Sequence, residues 1–253
     1  MKSEMILFTS MKGGSGKSTV CANVAVALAS LGKRVLVVSL DRYSASCDMI
    51  FGMESSYVYD VWDYPERPLS EICLSVSGNE GVCLAVSLPL SEPRGILPEA
   101  FLNAVRESGE YDFILVDKAA GEDTSSVLKL SGMADKVCVV TTQINDSVRS
   151  AELLSNVLFE DGVSEEKLFL VINSFYIDAS FASINSIMTS VKRPIIGVVP
   201  FSDTLYESQK VYTANRDRVV ASAFLNVAKR LLGEEVKLLD FLPLKLRRRL
   251  LNS

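Results

Sequence analysis

Residues 11–19 read Met11-Lys12-Gly13-Gly14-Ser15-Gly16-Lys17-Ser18-Thr19, directly after the apolar run Met5-Ile6-Leu7-Phe8. Glycines let the backbone wrap an anion and turn its N–H groups inward. Lys17 can then reach the β- and γ-oxygens of a triphosphate, and the Ser18 hydroxyl can ligate Mg2+. An apolar helical pattern follows over Val20–Leu31, so the positive end of a helix dipole faces the same anion. Strand, glycine turn, lysine and helix, in that order, make a phosphate-binding loop. Its expected ligating residues are Lys12, Gly13, Gly14, Ser15, Gly16, Lys17, Ser18 and Thr19.

A magnesium triphosphate also needs acids. Tyr111-Asp112-Phe113-Ile114-Leu115-Val116-Asp117 ends a buried strand on a carboxylate, as a Walker B segment does, so Asp117 and Ser18 are the expected metal residues. Asp41 closes a second apolar run, Val35–Leu40. With no histidine in the chain, Asp41 is the candidate to place or activate an attacking water and to approach the metal. Asn173 ends the run Leu170-Val171-Ile172, where its amide donor and acceptor could both meet an adenine edge.

The elements that must position these side chains alternate. Apolar runs at 5–8, 34–39, 82–87, 112–117, 136–141, 167–172 and 194–199 lack polar alternation, which predicts strands buried on both faces. Helical patterns lie near 18–31, 96–108, 123–133, 146–159, 180–191 and 203–232. This rhythm predicts an α/β fold: a mainly parallel, twisted sheet flanked by helices in three layers. Ligands of such sheets sit beyond the carboxyl ends of the strands, where the glycine loop emerges.

Composition narrows the chemistry. The 253 residues carry a net charge of −5, which argues against a broad nucleic-acid-binding face. Five cysteines show no C-x-x-C spacing, so a zinc site or a Cys/His pair is not expected, and reduced core thiols are. No apolar stretch reaches the ~18 residues of a spanning helix, and the chain enters a strand after four residues. The expected location is cytoplasmic.

The last segment departs from the acidic whole. Pro243 can open a helix in which Leu244, Leu246, Leu250 and Leu251 share an arc opposite Lys245, Arg248 and Arg249, while Arg247 interrupts the apolar side. A basic amphipathic helix suits an anionic bilayer surface. Four basic residues at ~1 kcal/mol each bind weakly, so one tail holds poorly, whereas two on a dimer gain ~10²-fold in avidity. The expected organisation is one phosphate-loop domain over 1–235 followed by this tail over 236–253.

With Met11 where the ordinary phosphate loop has glycine, and Lys12 before the glycine pair, the loop resembles the deviant Walker A sequence of the MinD/ParA ATPases, closest to MinD. More distant segments are similar in the right order. They include Ile196-Gly197-Val198-Val199-Pro200-Phe201-Ser202-Asp203, Val140-Thr141-Thr142 with Ser147-Val148-Arg149, and Arg230-Leu231-Leu232-Gly233. The resemblance implies a P-loop NTPase fold, ATP and Mg2+ as ligands, and an ATP-dependent homodimer in which Lys12 crosses to the partner's nucleotide. Lys12, Lys17 and Asp41 become the expected catalytic set, and Pro200, Phe201 and Asp203 frame the base. It also implies a membrane-peripheral division-site protein that recruits a septum inhibitor or an activating factor.

Two departures bear on turnover. Ser39 stands where the family has the first acid of a D-x-D pair, and Lys118-Ala119-Ala120-Gly121 lacks the proline that follows the Walker B acid. Tight nucleotide binding with slow hydrolysis is expected. The alternatives are a scaffold resembling the TadZ/CpaE proteins of pilus assembly, which binds nucleotide without hydrolysing it, and a ParA-like partition ATPase needing a basic DNA face.

Overall fold

The computed structural model describes residues 2–40, 47–54, 56–88, 95, 97–119, 121, 124–177, 181–208, 217–240 and 242–252. Each predicted strand is present: β1 (Glu4–Thr9), β2 (Val35–Ser39), β4 (Val82–Val86), β5 (Phe113–Asp117), β6 (Lys136–Thr141), β7 (Leu168–Phe175) and β8 (Ile195–Pro200). A two-residue strand, β3 (Leu74–Ser75), adds an antiparallel edge to β4. It is too short to leave a periodic signal. The sheet order is β3-β4-β2-β5-β1-β6-β7-β8, with every other pairing parallel. β1 therefore lies inside the sheet, and the glycine loop leaves its carboxyl end between two neighbours.

Helices cover both faces. α1 (Lys17–Ser30) is buried along most of its length, with Val20, Cys21, Ala22, Val24, Ala25 and Leu28 inaccessible. A helix apolar all round needs partners on every side. It packs between the sheet and α9 (Arg218–Leu231), in a core shared with α2 (Cys47–Phe51) and α8 (Asp203–Ser208). The opposite face is covered by α4 (Glu99–Ser108), α5 (Thr124–Met133), α6 (Asn145–Glu160) and α7 (Ile184–Val191). A further short helix is α3 (Leu69–Ile72).

The single helix expected over 203–232 is two helices among the described residues, and 209–216 lie outside them. The side chain of Asp217 accepts from the Val219 and Val220 N–H groups, so it caps α9 and starts a new helix. Ser183 does the same for α7, which begins at Ile184 rather than near residue 180.

The C-terminal helix α10 (Leu244–Asn252) follows Pro243 as expected. Its apolar arc is turned to the domain: Leu250 is 7% exposed, and Leu246 and Leu251 pack on the core that also holds Leu239 and Leu242. Asn185 of α7 donates to the Leu251 carbonyl at 2.8 Å, and Arg247 pairs with Asp240 at 3.1 Å. Lys245, Arg248 and Arg249 face outward, and Leu244 is the exposed leucine. Arg230 further ties the approach to the tail, donating to the carbonyls of Ile196, Val236 and Lys237. Among the described residues no helix is long and apolar enough to cross a membrane.

Candidate nucleotide-binding site

The loop between β1 and α1 is shaped by Gly14 and Gly16, both at φ 78°. Gly16 is the N-cap of α1 and no side chain caps that end, which leaves its first-turn N–H groups to an anion. Lys17, the first helical residue, turns its ammonium down to the floor of the loop. There it lies 2.8 Å from Asp117 Oδ1 and 3.1 Å from Ser18 Oγ. Lys17 is 7% and Asp117 0% exposed, so this ion pair is dry.

The second oxygen of Asp117 accepts from the Cys47 thiol at 3.5 Å. Cys47 opens α2 and is fully buried. The neighbouring Cys21 thiol, together with burial, pushes its pKa well above the ordinary thiol value, which keeps Cys47 a protonated donor. The sequence places Cys47 simply among core thiols. Its approach to Asp117 joins residues 70 apart and left no local signal.

Asn173, near the end of β7, reaches the loop. Its Nδ2 donates to the Ser15 carbonyl at 3.0 Å. One N–H of the amide braces the glycine turn; a primary amide carries a second N–H besides Oδ1, so a donor and an acceptor for an adenine edge both remain. The contact is so close that a Cβ on Gly16 would lie 2.1 Å from Asn173 Nδ2.

Lys12 pairs with Asp146, in the first turn of α6, and holds that carboxyl below its usual range. The two lysines, the glycine turn and Asn173 line one cavity of about 690 Å3, with Ser18, Thr19, Ile50, Pro200 and Phe201 completing much of its wall. Asp203 begins α8 and is exposed, outside that lining. Asp41 lies outside the described residues. Asp117 sits beneath the cavity, behind Lys17, and not on its surface.

Among the described residues, three buried hydroxyls here lack a hydrogen-bond partner: Thr9, Ser15 and Ser39. Ser39 lies opposite Asp117 in the β2–β5 register. The unpartnered Ser15 hydroxyl, an uncapped helix end and two lysines around one cavity fit a polyphosphate, while Thr9 and Ser39 lie outside its lining. Ser18 and Asp117 fit a magnesium ion, which commonly takes one carboxylate, a hydroxyl and phosphate oxygens rather than an all-protein cage.

The nucleotide-binding domain described as CobQ/CobB/MinD/ParA matches residues 6–212. The septum site-determining protein MinD of Bacillus subtilis is 30% identical over 246 residues, 93% of this chain and 91% of that protein. The MinD cell division protein of Aquifex aeolicus superposes with a TM-score of 0.81 at 28% identity, covering 93% of this chain and 99% of that one. A chain of the MinC:MinD complex of the same organism gives a TM-score of 0.81 at 26% identity, covering 93% and 98%.

Proposed function

Because the chain belongs to the CobQ/CobB/MinD/ParA nucleotide-binding family, whose MinD and ParA branches are P-loop ATPases, we propose that it is a MinD-like ATPase. It binds magnesium ATP, closes as a dimer over two nucleotides, and uses that state to position a protein partner at the inner membrane surface in division-site selection. The observation that carries this reading is the pair of lysines, Lys12 and Lys17, flanking the glycine turn at one cavity. The likeness to a chain of the MinC:MinD complex favours a septum inhibitor as the partner class.

The geometry supplies a sequence of local events. An arriving triphosphate offers Lys17 a stronger anion than Asp117, so the ammonium moves to the phosphates and the carboxylate is released. When bound, Mg2+ neutralises charge building on the β- and γ-oxygens. Ser18 and Asp117 would hold it, and Asp41 would orient the attacking water. Lys12 leaves Asp146 to reach the partner's phosphates. Ser39 and Lys118 leave the acid pair and the second switch altered, so binding outpaces hydrolysis. Membrane residence asks more of α10 than its charge: the buried Leu250 must undock, or the outward Lys245, Arg248 and Arg249 must bind alone.

Calorimetry, light scattering and liposome sedimentation on one preparation test this. Magnesium ATP is expected to bind and convert monomer to dimer, ADP to leave the monomer, and Lys12→Ala to bind ATP without dimerising. ATP should drive sedimentation with anionic vesicles, and deletion of 244–253 should abolish it. Absence of any heat with magnesium ATP overturns the reading. Dimerisation without release of phosphate, even with membrane and partner present, instead supports the scaffold resembling TadZ/CpaE, a reading favoured by the altered sequence after Asp117, Lys118-Ala119-Ala120-Gly121.

Asp146→Asn is a further expectation. The exposed pair is weak, yet each dimer must break two of them, so the variant should dimerise a few-fold more tightly in ATP. Lys12 lowers the Asp146 pKa, so the contact is intact at neutral pH and is lost only as pH falls through that lowered value. The difference between variant and wild type should therefore stay constant from about pH 6 to 8. Equal dimer affinities would show that Asp146 does not restrain Lys12.

A further inference from the structure

The nucleotide cavity has two chemically different ends. The glycine turn and its lysines form one, and Pro200, Phe201, Leu205 and Tyr206 form the other. Phe201 is held firmly: Tyr176 stacks on its ring at 4.4 Å and 19°, and its N–H donates to the Phe175 carbonyl at 3.0 Å. Leu205 is buried in the core beside α1. Ser202 takes the Leu205 and Tyr206 N–H groups on its hydroxyl and carbonyl, which pins the turn carrying Tyr206.

Tyr206 itself is 75% exposed, although its ring lies only 6.1 Å from Phe201, tilted by 46°. Core packing does not account for a large ring left in water at the rim of this cavity. A planar ligand inserted beside it does, because aromatic rings gain most by offset stacking. Asn173 can meet a base only at its edge, through the second N–H and Oδ1 of its amide, and gives the ring face nothing to stack on.

We infer that Tyr206 is a base-positioning residue of this site, closing its ring on the face of the nucleotide's base against the Tyr176-backed Phe201. This rests on the nucleotide reading above and adds to it a residue that holds the base rather than the phosphates. Stacking is blind to base edges, so Tyr206 contributes affinity and placement. It favours purines by their larger surface.

The test titrates wild type, Tyr206→Ala and Tyr206→Phe with magnesium ATP and with magnesium tripolyphosphate, which has no base. Base–aromatic stacking corresponds to about 5- to 150-fold in affinity. Tyr206→Ala is expected to lose ATP affinity in that range while binding tripolyphosphate as wild type does, and Tyr206→Phe to retain ATP. A 2-aminopurine nucleotide should be quenched on binding to wild type and less so on binding to Tyr206→Ala. Unchanged ATP affinity in Tyr206→Ala, or equal losses for ATP and tripolyphosphate, overturns the role of Tyr206 and leaves the nucleotide site intact. Failure of the wild type to bind either ligand overturns the nucleotide reading itself.

Discussion

Lys17→Ala is expected to abolish nucleotide-dependent stabilisation and to cost about 3–5 kcal/mol of folding free energy in the nucleotide-free protein. The second effect is the unusual one, and it follows from where the ammonium sits. Lys17 and Asp117 form a 2.8 Å pair with almost no water access. Removing one partner strands a carboxylate at the floor of the sheet, with the Cys47 thiol beside it at 3.5 Å. A thiol is a weak donor and cannot replace an ammonium.

Lys17→Ala/Asp117→Leu separates the two effects. Replacing both members of a buried pair by apolar groups is often neutral, so the double variant should regain most of the stability and none of the binding. Urea unfolding with and without magnesium ATP reads both quantities. A ligand at 100 times its dissociation constant adds about 2.7 kcal/mol to a binding-competent fold and nothing to either variant. Wild-type stability in Lys17→Ala would mean that the ion pair does not support the apo fold.

Gly16→Ala should be comparably severe for binding. An L-residue at φ 78° costs about 1–2 kcal/mol, and the new Cβ would meet Asn173 Nδ2 at 2.1 Å. Asn173 is buried and its Nδ2 is held by Ser15, so the loop must move instead. Displacing phosphate-positioning N–H groups by about 1 Å can cost on the order of 100-fold. Gly14→Ala is the control: it has the same φ but no atom within 4 Å of the added Cβ, so it bears the dihedral cost without the clash. Gly16→Ala/Asn173→Ala should recover part of the lost affinity. Calorimetry with magnesium ATP across wild type and these variants decides the matter. Equal losses in Gly14→Ala and Gly16→Ala would rule out the Asn173 contact as the cause.

The glycine loop, the seven long strands and the place of Asp117 at a strand end were legible in the sequence because each depends on neighbours along the chain. A glycine turn between an apolar run and a helix, ending in Lys-Ser, is a local signature of a phosphate loop. Unbroken Val/Ile/Leu runs mean strands covered on both sides. The tail helix was legible for the same reason, since its periodicity and Pro243 are local. Asp217 and Ser183 carried helix starts in their side chains, though the longer apolar pattern around them obscured both.

Tertiary structure alone decided which partner each side chain meets. Lys17 finds Asp117 across 100 residues, and Asn173 finds Ser15 across 158. Nothing in either segment names the other, because sheet order brings them together. An amphipathic arc likewise announces that leucines will be covered without saying by what. α10 packs against α7, Leu250 enters the protein's own core and the basic residues are left outside. Sequence pattern determines the kind of surface an element presents; the packing of distant elements determines which surface answers it.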